Sequence, residues 1–281
     1  MKVTTFYKYT TIDDPESFAK EHLSFCKSLG LKGKILVSKE GINGGITGKN
    51  INVDSYKKKL ISCKEFRDIQ FRETLVGDEA YRKMFVRVRK EIVTFDTNVD
   101  YSKAARKIEP KQLKKILDEK EDVILLDVRN NYETKIGKFS GAIDLDIKKF
   151  TEFKSKINSL RSLKDKMIVT YCTGGVRCEK ASAFLMENGF NNVFQLDGGI
   201  LNYSDKCSDA HWGGKCFVFD RRMAISLDNS KEVHPISKCE ICESFSDLYV
   251  NCKNIDCDKL FICCKTCQIT FNGYCSDELK L

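Results

Sequence analysis

The sequence lacks the features that carry a protein into or across a membrane. Behind its first lysine there is no apolar segment of the kind found in secretion signals, and no apolar run approaches about eighteen residues. We therefore expect a soluble, cytoplasmic protein with no membrane partner. In that setting cysteines act more often as metal ligands, reactive thiols or small buried residues than as disulfides.

Two cofactor patterns are also missing. None of the three histidines, His22, His211 and His234, has an acidic residue two positions later, so the pair that begins a facial-triad iron site is absent. No glycine run has the G-x-G-x-x-G spacing of a dinucleotide-binding loop. We therefore expect no nucleotide cofactor.

Basic residues and cysteines, in contrast, are plentiful. The 281 residues, of which 42% are hydrophobic, suffice for two compact domains, or for one domain flanked by two small ones. Lysine and arginine outnumber aspartate and glutamate by 48 to 40, which is compatible with an anionic partner such as RNA. Eight of the fourteen cysteines follow residue 238, so the end of the chain needs an explanation of its own.

Residues 1–100 alternate between strand-like and helix-like segments in the order β-α-β-β-α-β. This order is typical of a ferredoxin-like, or acylphosphatase-like, α+β domain. Asp14-Pro15 predicts the start of the first helix and Gly30 its end. We interpret the glycine-rich stretch 41–48 as the hairpin between the two middle strands.

The pattern changes near Pro110. Over residues 110–206, buried β-branched strands alternate with helices, which indicates an α/β domain with a parallel sheet and helices on both faces. The charged stretch 101–110 is predicted to connect the two domains. Residues 207–281 form the third part, a small cysteine-rich segment.

One loop in the second domain has the composition of a reactive site. Cys172 ends an apolar strand, and a helix begins just after the loop. Paired glycines let successive backbone N–H groups point inward, and the helix N-terminus adds partial positive charge, so the loop favours an anion. We predict a lowered pKa and a reactive thiolate for Cys172. The loop residues that form this anion cradle are Thr173, Gly174, Gly175, Val176 and Arg177.

The loop resembles that of the rhodanese family, whose form is C-x-x-G-x-R. Two further motifs agree with it, namely LLDVRNNYE with Asp127, Arg129 and Glu133, and QLDGGILNY with Gly198 and Gly199. The resemblance implies that Cys172 carries a persulfide or related intermediate and that Arg177 orients the loop. It also implies that Asp127 and Arg129 support the fold and the surroundings of the loop.

Two details of the loop refine this interpretation. Cysteine phosphatases place five residues between cysteine and arginine and a histidine before the cysteine, whereas here there are four residues and Tyr171, so phosphatase activity is disfavoured. Cys178 directly follows Arg177 and could either resolve an intermediate on Cys172 or simply pack as a small residue.

Over nearly its whole length the chain resembles the bacterial tRNA uridine hydroxylase family. The resemblance rests on EGINGGITG, YCTGGVRCEKAS, QLDGGILNY, GKCFVFDRRMAIS and the cysteine-rich end. It implies conversion of the wobble uridine, position 34 of tRNA, to 5-hydroxyuridine with molecular oxygen as co-substrate. The alternative is a sulfurtransferase that passes sulfane sulfur from Cys172. The intact loop argues against a third possibility, a noncatalytic RNA-binding or zinc-dependent module.

Basic and aromatic residues of the first domain are candidates for contact with tRNA. Arg87, Arg89 and Lys90 lie on an alternating segment that would place basic groups on one strand face, as a phosphate backbone requires. Phe6, Tyr7 and Phe85 could stack on bases. Further basic candidates are Lys32, Lys34, Lys57, Lys58, Lys59, Arg106 and Lys107.

The cysteine-rich segment contains two C-x2-C pairs about twenty residues apart, which is close to the spacing of a tetrahedral zinc site. These predicted ligands are Cys239, Cys242, Cys264 and Cys267. The other four, Cys252, Cys257, Cys263 and Cys275, could form a second site. Loosely packed thiols, or disulfides formed on purification, are the alternatives. The sequence does not predict an oligomeric state.

Overall fold

The computed structural model describes residues 1–276, which begin with a five-stranded sheet. Its strands lie in the order β4-β1-β3-β2-β5, where only β5 runs parallel to its neighbour. They are β1 (Lys2–Tyr9), β2 (Lys32–Ser38), β3 (Gly41–Gly48), β4 (Gln70–Leu75) and β5 (Met84–Val88). The helices are α1 (Pro15–Ser28), α2 (Asn50–Ser62) and a 3-10 turn at Lys64–Phe66. This arrangement confirms the ferredoxin-like prediction.

The first helix begins and ends where its sequence predicts. The Asp14 carboxylate accepts a hydrogen bond from the Ser17 N–H at 3.0 Å, and Pro15 occupies the first helical position, where its missing N–H costs nothing. Gly30 follows the helix with φ of 62°, a conformation that glycine adopts without strain.

The prediction of a glycine-rich hairpin was wrong, because residues 41–48 are themselves the central strand β3. Residues 39 and 40 make the turn instead. Gly45 is needed because a Cβ there would lie 2.3 Å from the Tyr81 hydroxyl, which crosses that face of the sheet. Gly44 likewise lets Ile35 pack directly on the strand, since its Cβ would lie 2.8 Å from Ile35 Cγ1. The glycines therefore serve close packing rather than a turn.

The two faces of this sheet have different surroundings. One packs against the helices through a core that includes Phe6, Ile35 and Tyr56. The opposite face, here called the open face, carries the alternate residues of each strand. One row of directly paired residues on it contains Gln70, Tyr7, Asn43, Leu36 and Arg87.

The second sheet is parallel throughout, in the order β6-β11-β10-β7-β9. Residues on alternate sides of its central strands enter two separate cores, so both faces are buried. The strands are β6 (Arg106–Ile108), β7 (Val123–Asp127), β9 (Ile143–Asp144), β10 (Met167–Tyr171) and β11 (Val193–Leu196), with β8 (Gly137–Phe139) outside the sheet. The helices are α3 (Pro110–Asp118), α4 (Asn131–Thr134), α5 (Val176–Glu187) and α6 (Gly199–Cys207), and 3-10 segments cover Tyr101–Lys103 and Phe150–Leu163. The predicted α/β domain with a parallel sheet is confirmed.

The stretch predicted as a connector contains an edge strand of this sheet. Strand β6 pairs in parallel with β11, so that Arg106 lies opposite Phe194 and Ile108 opposite Leu196. Its only buried residue is Ile108, which explains why the charged sequence gave no strand pattern.

The remaining segment has little regular structure. Its strands are β12 (Trp212–Gly214), β13 (Cys216–Phe217), β14 (Ala224–Ile225), β15 (Tyr249–Asn251) and β16 (Leu260–Ile262), followed by helix α7 (Lys265–Thr270). Strand β12 pairs with β8, which joins the segment to the second domain. Among residues 1–276, no helix is both long and apolar enough to span a membrane.

Candidate active site around Cys172

Cys172 lies between the end of β10 and the N-terminus of α5, with no solvent exposure. Gly175, at φ of 99°, caps the helix and donates its N–H to Cys172 Sγ at 3.1 Å. A residue with a Cβ would be strained in that conformation and would meet the Tyr7 hydroxyl at 2.9 Å. The loop therefore presents backbone donors and the helix N-terminus to one sulfur.

The surroundings of Cys172 stabilise its thiolate. Burial alone would raise the pKa of this thiol, since it removes water from the charged form. The Cys178 thiol, the Arg177 charge and the N–H groups of Arg177 and Gly175 outweigh burial and lower the pKa of Cys172 to about 6. Most of the sulfur is therefore thiolate at neutral pH.

Cys178 lies in the first turn of α5 and is fully buried. Burial and its hydrogen bond to Cys172 raise the pKa of Cys178 well above its usual value. The pair therefore contains one thiolate and one thiol, and the thiol donates to the thiolate. This position gives Cys178 a direct contact with the Cys172 sulfur.

Arg177 faces away from open solvent and clamps the loop. Its two terminal nitrogens donate to the Glu133 carboxylate at 2.5 and 2.7 Å, and Glu133 is fully buried. The Thr173 hydroxyl donates to the same carboxylate at 3.3 Å. The bidentate pair fixes both ends of the loop against α4.

A second buried ion pair lies at the end of β7. Arg129 donates to both oxygens of Asp127, at 2.9 and 2.6 Å, and to the Gly137 carbonyl at 2.7 Å. Both side chains are completely buried. They therefore connect β7 to β8 beneath the loop without facing a substrate.

The start of α6 packs directly on the loop that follows Cys172. Ile200 and Leu201 donate their N–H groups to the carbonyls of Cys172 and Thr173 at 3.0 and 3.1 Å. Gly199 has φ of 65°, and a Cβ there would lie 2.4 Å from the Cys172 carbonyl oxygen. Only glycine allows this contact, which explains the second glycine of QLDGGILNY.

Cys172 borders a cavity of about 920 Å³ between the two domains. The open face forms one wall, the loop forms a second, and residues 218–229 contribute a third. Several of its basic side chains are already paired, for example Lys107 with Glu179 at 3.3 Å. Lys34 and Arg72 also border the cavity, and within residues 1–276 neither forms an ion pair.

Three aromatic side chains stand over the loop. The hydroxyls of Tyr7 and Tyr9 donate to Glu179 and to the Val176 carbonyl, each at 3.1 Å. Phe219 is 58% exposed and borders the cavity, with its ring centre 5.7 Å from Arg177 Cζ. Sequence analysis missed Tyr9 and Phe219, although GKCFVFDRR, which contains Phe219, carried part of the family resemblance.

The other predicted RNA contacts lie in two different places. Phe85 and Arg87 are exposed on the open face at its edge strand, three strands and therefore about 14 Å from β1. Arg87 lies over the Phe85 ring at 4.9 Å, and Arg89 and Lys90 follow, also exposed. Phe6, in contrast, is buried against Tyr56, which corrects its assignment as a base-stacking residue.

The cysteine-rich segment brings its predicted ligands together. The sulfurs of Cys239, Cys242, Cys264 and Cys267 all lie within 4.8 Å of one another, with 3.7 Å between Cys242 and Cys264. Four thiols at that spacing fit a tetrahedral metal site. Of the remaining four cysteines, Cys252, Cys257 and Cys275 form a second group, whereas Cys263 is buried outside it. The predicted second set of four is therefore a set of three.

Comparison with known proteins agrees with this architecture. A UPF0176 acylphosphatase like domain matches residues 1–92, a rhodanese-like domain 109–206 and a rhodanase C-terminal domain 213–279. The tRNA uridine(34) hydroxylase of Cytophaga hutchinsonii is 39% identical, over 99% of this chain and 89% of its own length. Those of Bacillus licheniformis and Staphylococcus haemolyticus are 40% and 41% identical, over 100% and 98% of this chain and 88% and 87% of theirs. The chain therefore belongs to the tRNA uridine(34) hydroxylase family.

Proposed function

We propose that this protein hydroxylates uridine 34 of tRNA to 5-hydroxyuridine, with molecular oxygen as co-substrate and Cys172 as the reactive residue. The observation that carries the proposal is a stabilised thiolate beside a cavity that two domains share. Its volume of about 920 Å³ is at the upper end of the range for small-molecule sites, about 300–1,000 Å³. We also propose a cytoplasmic location, because the proposed substrate is tRNA.

The chemistry of uracil explains why a thiolate is useful. Uridine 34 is the wobble base of the anticodon, where it can be turned into a pocket at a small cost in stacking energy. A thiolate that adds to C6 gives C5, the carbon to be hydroxylated, carbanion character. One oxygen atom of O2 would be transferred to C5, and the second would leave as water with two electrons and two protons from an external reductant of the thiol class. Loss of the C5 proton together with the Cys172 thiolate would then restore the 5,6 double bond and free Cys172.

Some residues around the cavity could contact the base of uridine 34, and others could contact the phosphate backbone of the tRNA. Phe219 offers an exposed ring beside Arg177 on which a base could stack. Lys34 and Arg72 offer positive charge on the open face, and Arg87, Arg89 and Lys90 extend it toward the sheet edge. The anticodon loop would then lie across the open face with uridine 34 at Cys172.

Sulfur transfer is the second candidate, because the same cradle would stabilise a persulfide on Cys172. The two functions separate in one experiment. Cells without the protein are complemented with the wild type, Cys172→Ser or Cys63→Ser, and their tRNA nucleosides are measured by mass spectrometry. We expect 5-hydroxyuridine derivatives to return with the wild type and the half-exposed control Cys63→Ser only.

The outcomes that contradict the proposal are distinct. Unchanged 5-hydroxyuridine in cells without the protein would refute hydroxylation, and a change in thiolated nucleosides alone would favour sulfur transfer. Full restoration by folded Cys172→Ser would refute the role of this thiol. A covalent adduct between Cys172 and tRNA that contains 5-fluorouridine would support addition at C6.

We also assign zinc to Cys239, Cys242, Cys264 and Cys267. A backbone–thiol contact supports it, since Cys264 Sγ accepts the Cys267 N–H at 3.4 Å at the start of α7. Purified wild-type protein should contain zinc that Cys239→Ser with Cys242→Ser removes. Freely titratable thiols at these four positions in metal-replete protein would contradict the assignment.

A further inference from the structure

The cysteine-rich end of the chain, residues 238–276 of the described part, is here called the tail. It contains a second group of thiols apart from the four just discussed. We propose that Cys252, Cys257 and Cys275 bind a second zinc ion, whose fourth position is taken by water or a small anion. This site does not depend on the hydroxylase activity. Its support comes from the spacing of the sulfurs, the order of the ligands along the chain and the scarcity of other stabilising contacts.

The spacing fits one ion. Two sulfurs that each lie about 2.3 Å from a tetrahedral zinc ion are about 3.8 Å apart. Cys257 and Cys275 are 3.7 Å apart, the same distance as Cys242 and Cys264 in the first group. All three sulfurs lie within 4.8 Å of one another. Disulfide sulfurs would be about 2.05 Å apart, and an iron–sulfur cluster would spread its cysteines around several irons.

The ligands of the two groups alternate along the chain. The pair Cys239 and Cys242 is followed by Cys252 and Cys257 of the second group. Cys264 and Cys267 then return to the first group, and Cys275 to the second. Each ion therefore closes a loop that contains ligands of the other, so the two sites hold each other in place. Independent packing of loose thiols gives no reason for this order.

Backbone contacts bring the second group together before any ion is considered. The Asn254 side chain accepts the Cys257 N–H at 3.2 Å, which fixes the turn between Cys252 and Cys257. Lys253 donates its N–H to the Gly273 carbonyl at 3.1 Å, which brings that turn beside Cys275. Lys259, which forms an ion pair with Glu240 at 2.8 Å, also adds positive charge near Cys257 and Cys275.

The tail buries little apolar surface. Phe261 is its large, fully buried aromatic residue, and its core otherwise consists mainly of cysteines. Ile255 and Ile269 are 91% and 80% exposed, so they contribute almost nothing to a core. A segment of this size needs metal ions or disulfides for stability. One ion at the first group would leave the loop 252–259 and Cys275 without a comparable constraint.

The test counts metal in the full-length protein. Wild type purified under reducing conditions with zinc present, and freed of loosely bound metal, should contain about two zinc ions per chain by mass spectrometry. Cys257→Ser with Cys275→Ser should retain about one, and Cys63→Ser should retain about two. About one ion in the wild type, or two in the double variant, would overturn the second site.

A measurement on the unaltered protein covers the case in which the variant misfolds. Cys63, Cys257 and Cys275 are all partly exposed, so Cys63 serves as an internal standard for alkylation by N-ethylmaleimide. In zinc-loaded protein, Cys257 and Cys275 should react at least about tenfold more slowly than Cys63, and a chelator should remove the difference. Equal rates in the zinc-loaded protein would refute the site.

Discussion

The Cys172 loop and the cysteine-rich tail surround their thiols in different ways. At the loop, one sulfur receives hydrogen bonds from Gly175 and Cys178 and lies near the charge of Arg177. In the tail, each sulfur of the two thiol groups has other sulfurs within 4.8 Å, which would carry the same charge. Like charges at that distance oppose ionisation unless a cation lies between them. A thiolate held by the protein remains available for chemistry, whereas thiolates held by a metal serve as ligands.

This contrast predicts that the two regions respond independently. Changes near the loop should alter reactivity and leave the zinc content of the tail unchanged. Changes in the tail should lower metal content before they affect the pKa of Cys172.

The largest effect is expected from Gly199→Ala, which should break the contact between α6 and the loop. The new Cβ would lie 2.4 Å from the Cys172 carbonyl oxygen in a left-handed conformation. Strain and overpacking together should cost about 3 kcal/mol of unfolding free energy, measured by urea denaturation, and Cys172 alkylation should slow.

Gly30→Ala is the matched control for that substitution. Gly30 has φ of 62°, close to the 65° of Gly199, and no atom lies within 4 Å of its Cβ position. Gly30→Ala should therefore lower the free energy of unfolding by only about 1 kcal/mol and leave the alkylation rate of Cys172 unchanged. Equal losses for the two variants would mean that α6 does not support the loop.

Phe219→Leu tests whether the cavity beside Cys172 binds a base. The thiols of the tail do not border this cavity. Loss of the ring should lower kcat/KM for tRNA roughly five- to 150-fold, because stacking of one base on an aromatic ring contributes about 1–3 kcal/mol. Phe219→Tyr keeps a ring and should retain activity. Phe245→Leu removes a ring of the tail that is 68% exposed and should have no effect. If Phe219→Leu left kcat/KM at the wild-type value, base stacking there would be excluded.

The sequence predicted the features that depend on neighbouring residues. The loop from Cys172 to Arg177 is contiguous, so its glycines, arginine and helix start could be recognised together. The same holds for the two C-x2-C pairs, whose spacing determines which sulfurs can meet. The start of α1 was predicted because Asp14 and Pro15 act within one turn.

The features that sequence analysis missed depend on contacts between distant segments. Tyr9 reaches Val176 only because two domains face each other, and no local pattern contains that contact. Strand β3 was taken for a hairpin because Gly45 makes room for Tyr81, far along the chain. Cys263 was grouped with the wrong thiols because spacing does not reveal which way a side chain points. The same reasoning explains why Phe6, in an alternating strand, was assigned to the wrong face.

Simultaneous replacement of Arg87, Arg89 and Lys90 by alanine should weaken tRNA binding without affecting the metal sites of the tail. Binding of tRNA should weaken by about tenfold at moderate salt, and the slope of log K against log salt should fall by about two, because fewer counterions are released. Zinc content should not change. An unchanged slope would place the tRNA backbone elsewhere on the protein.

The smallest effect at neutral pH is expected from Cys178→Ala. Burial opposes ionisation of Cys172, and the Cys178 thiol is the first of the groups that lower its pKa to about 6. Without this donor the pKa should rise by about one unit, which equals about 1.4 kcal/mol. Alkylation of Cys172 should therefore slow about tenfold at pH 5, about twofold at pH 7 and not measurably at pH 9. Cys178→Ser keeps a donor and should give a profile close to the wild type.

Two other results would assign Cys178 differently. An unchanged alkylation profile in Cys178→Ala, with normal tRNA hydroxylation, would mean that the residue only packs. Loss of hydroxylation in both Cys178→Ser and Cys178→Ala, with an unchanged profile, would make it a resolving thiol, because serine replaces the hydrogen bond but cannot exchange with sulfur. In that case the two sulfurs would act as a redox pair, and the loop would differ from the tail by chemistry as well as by the source of its stabilising charge.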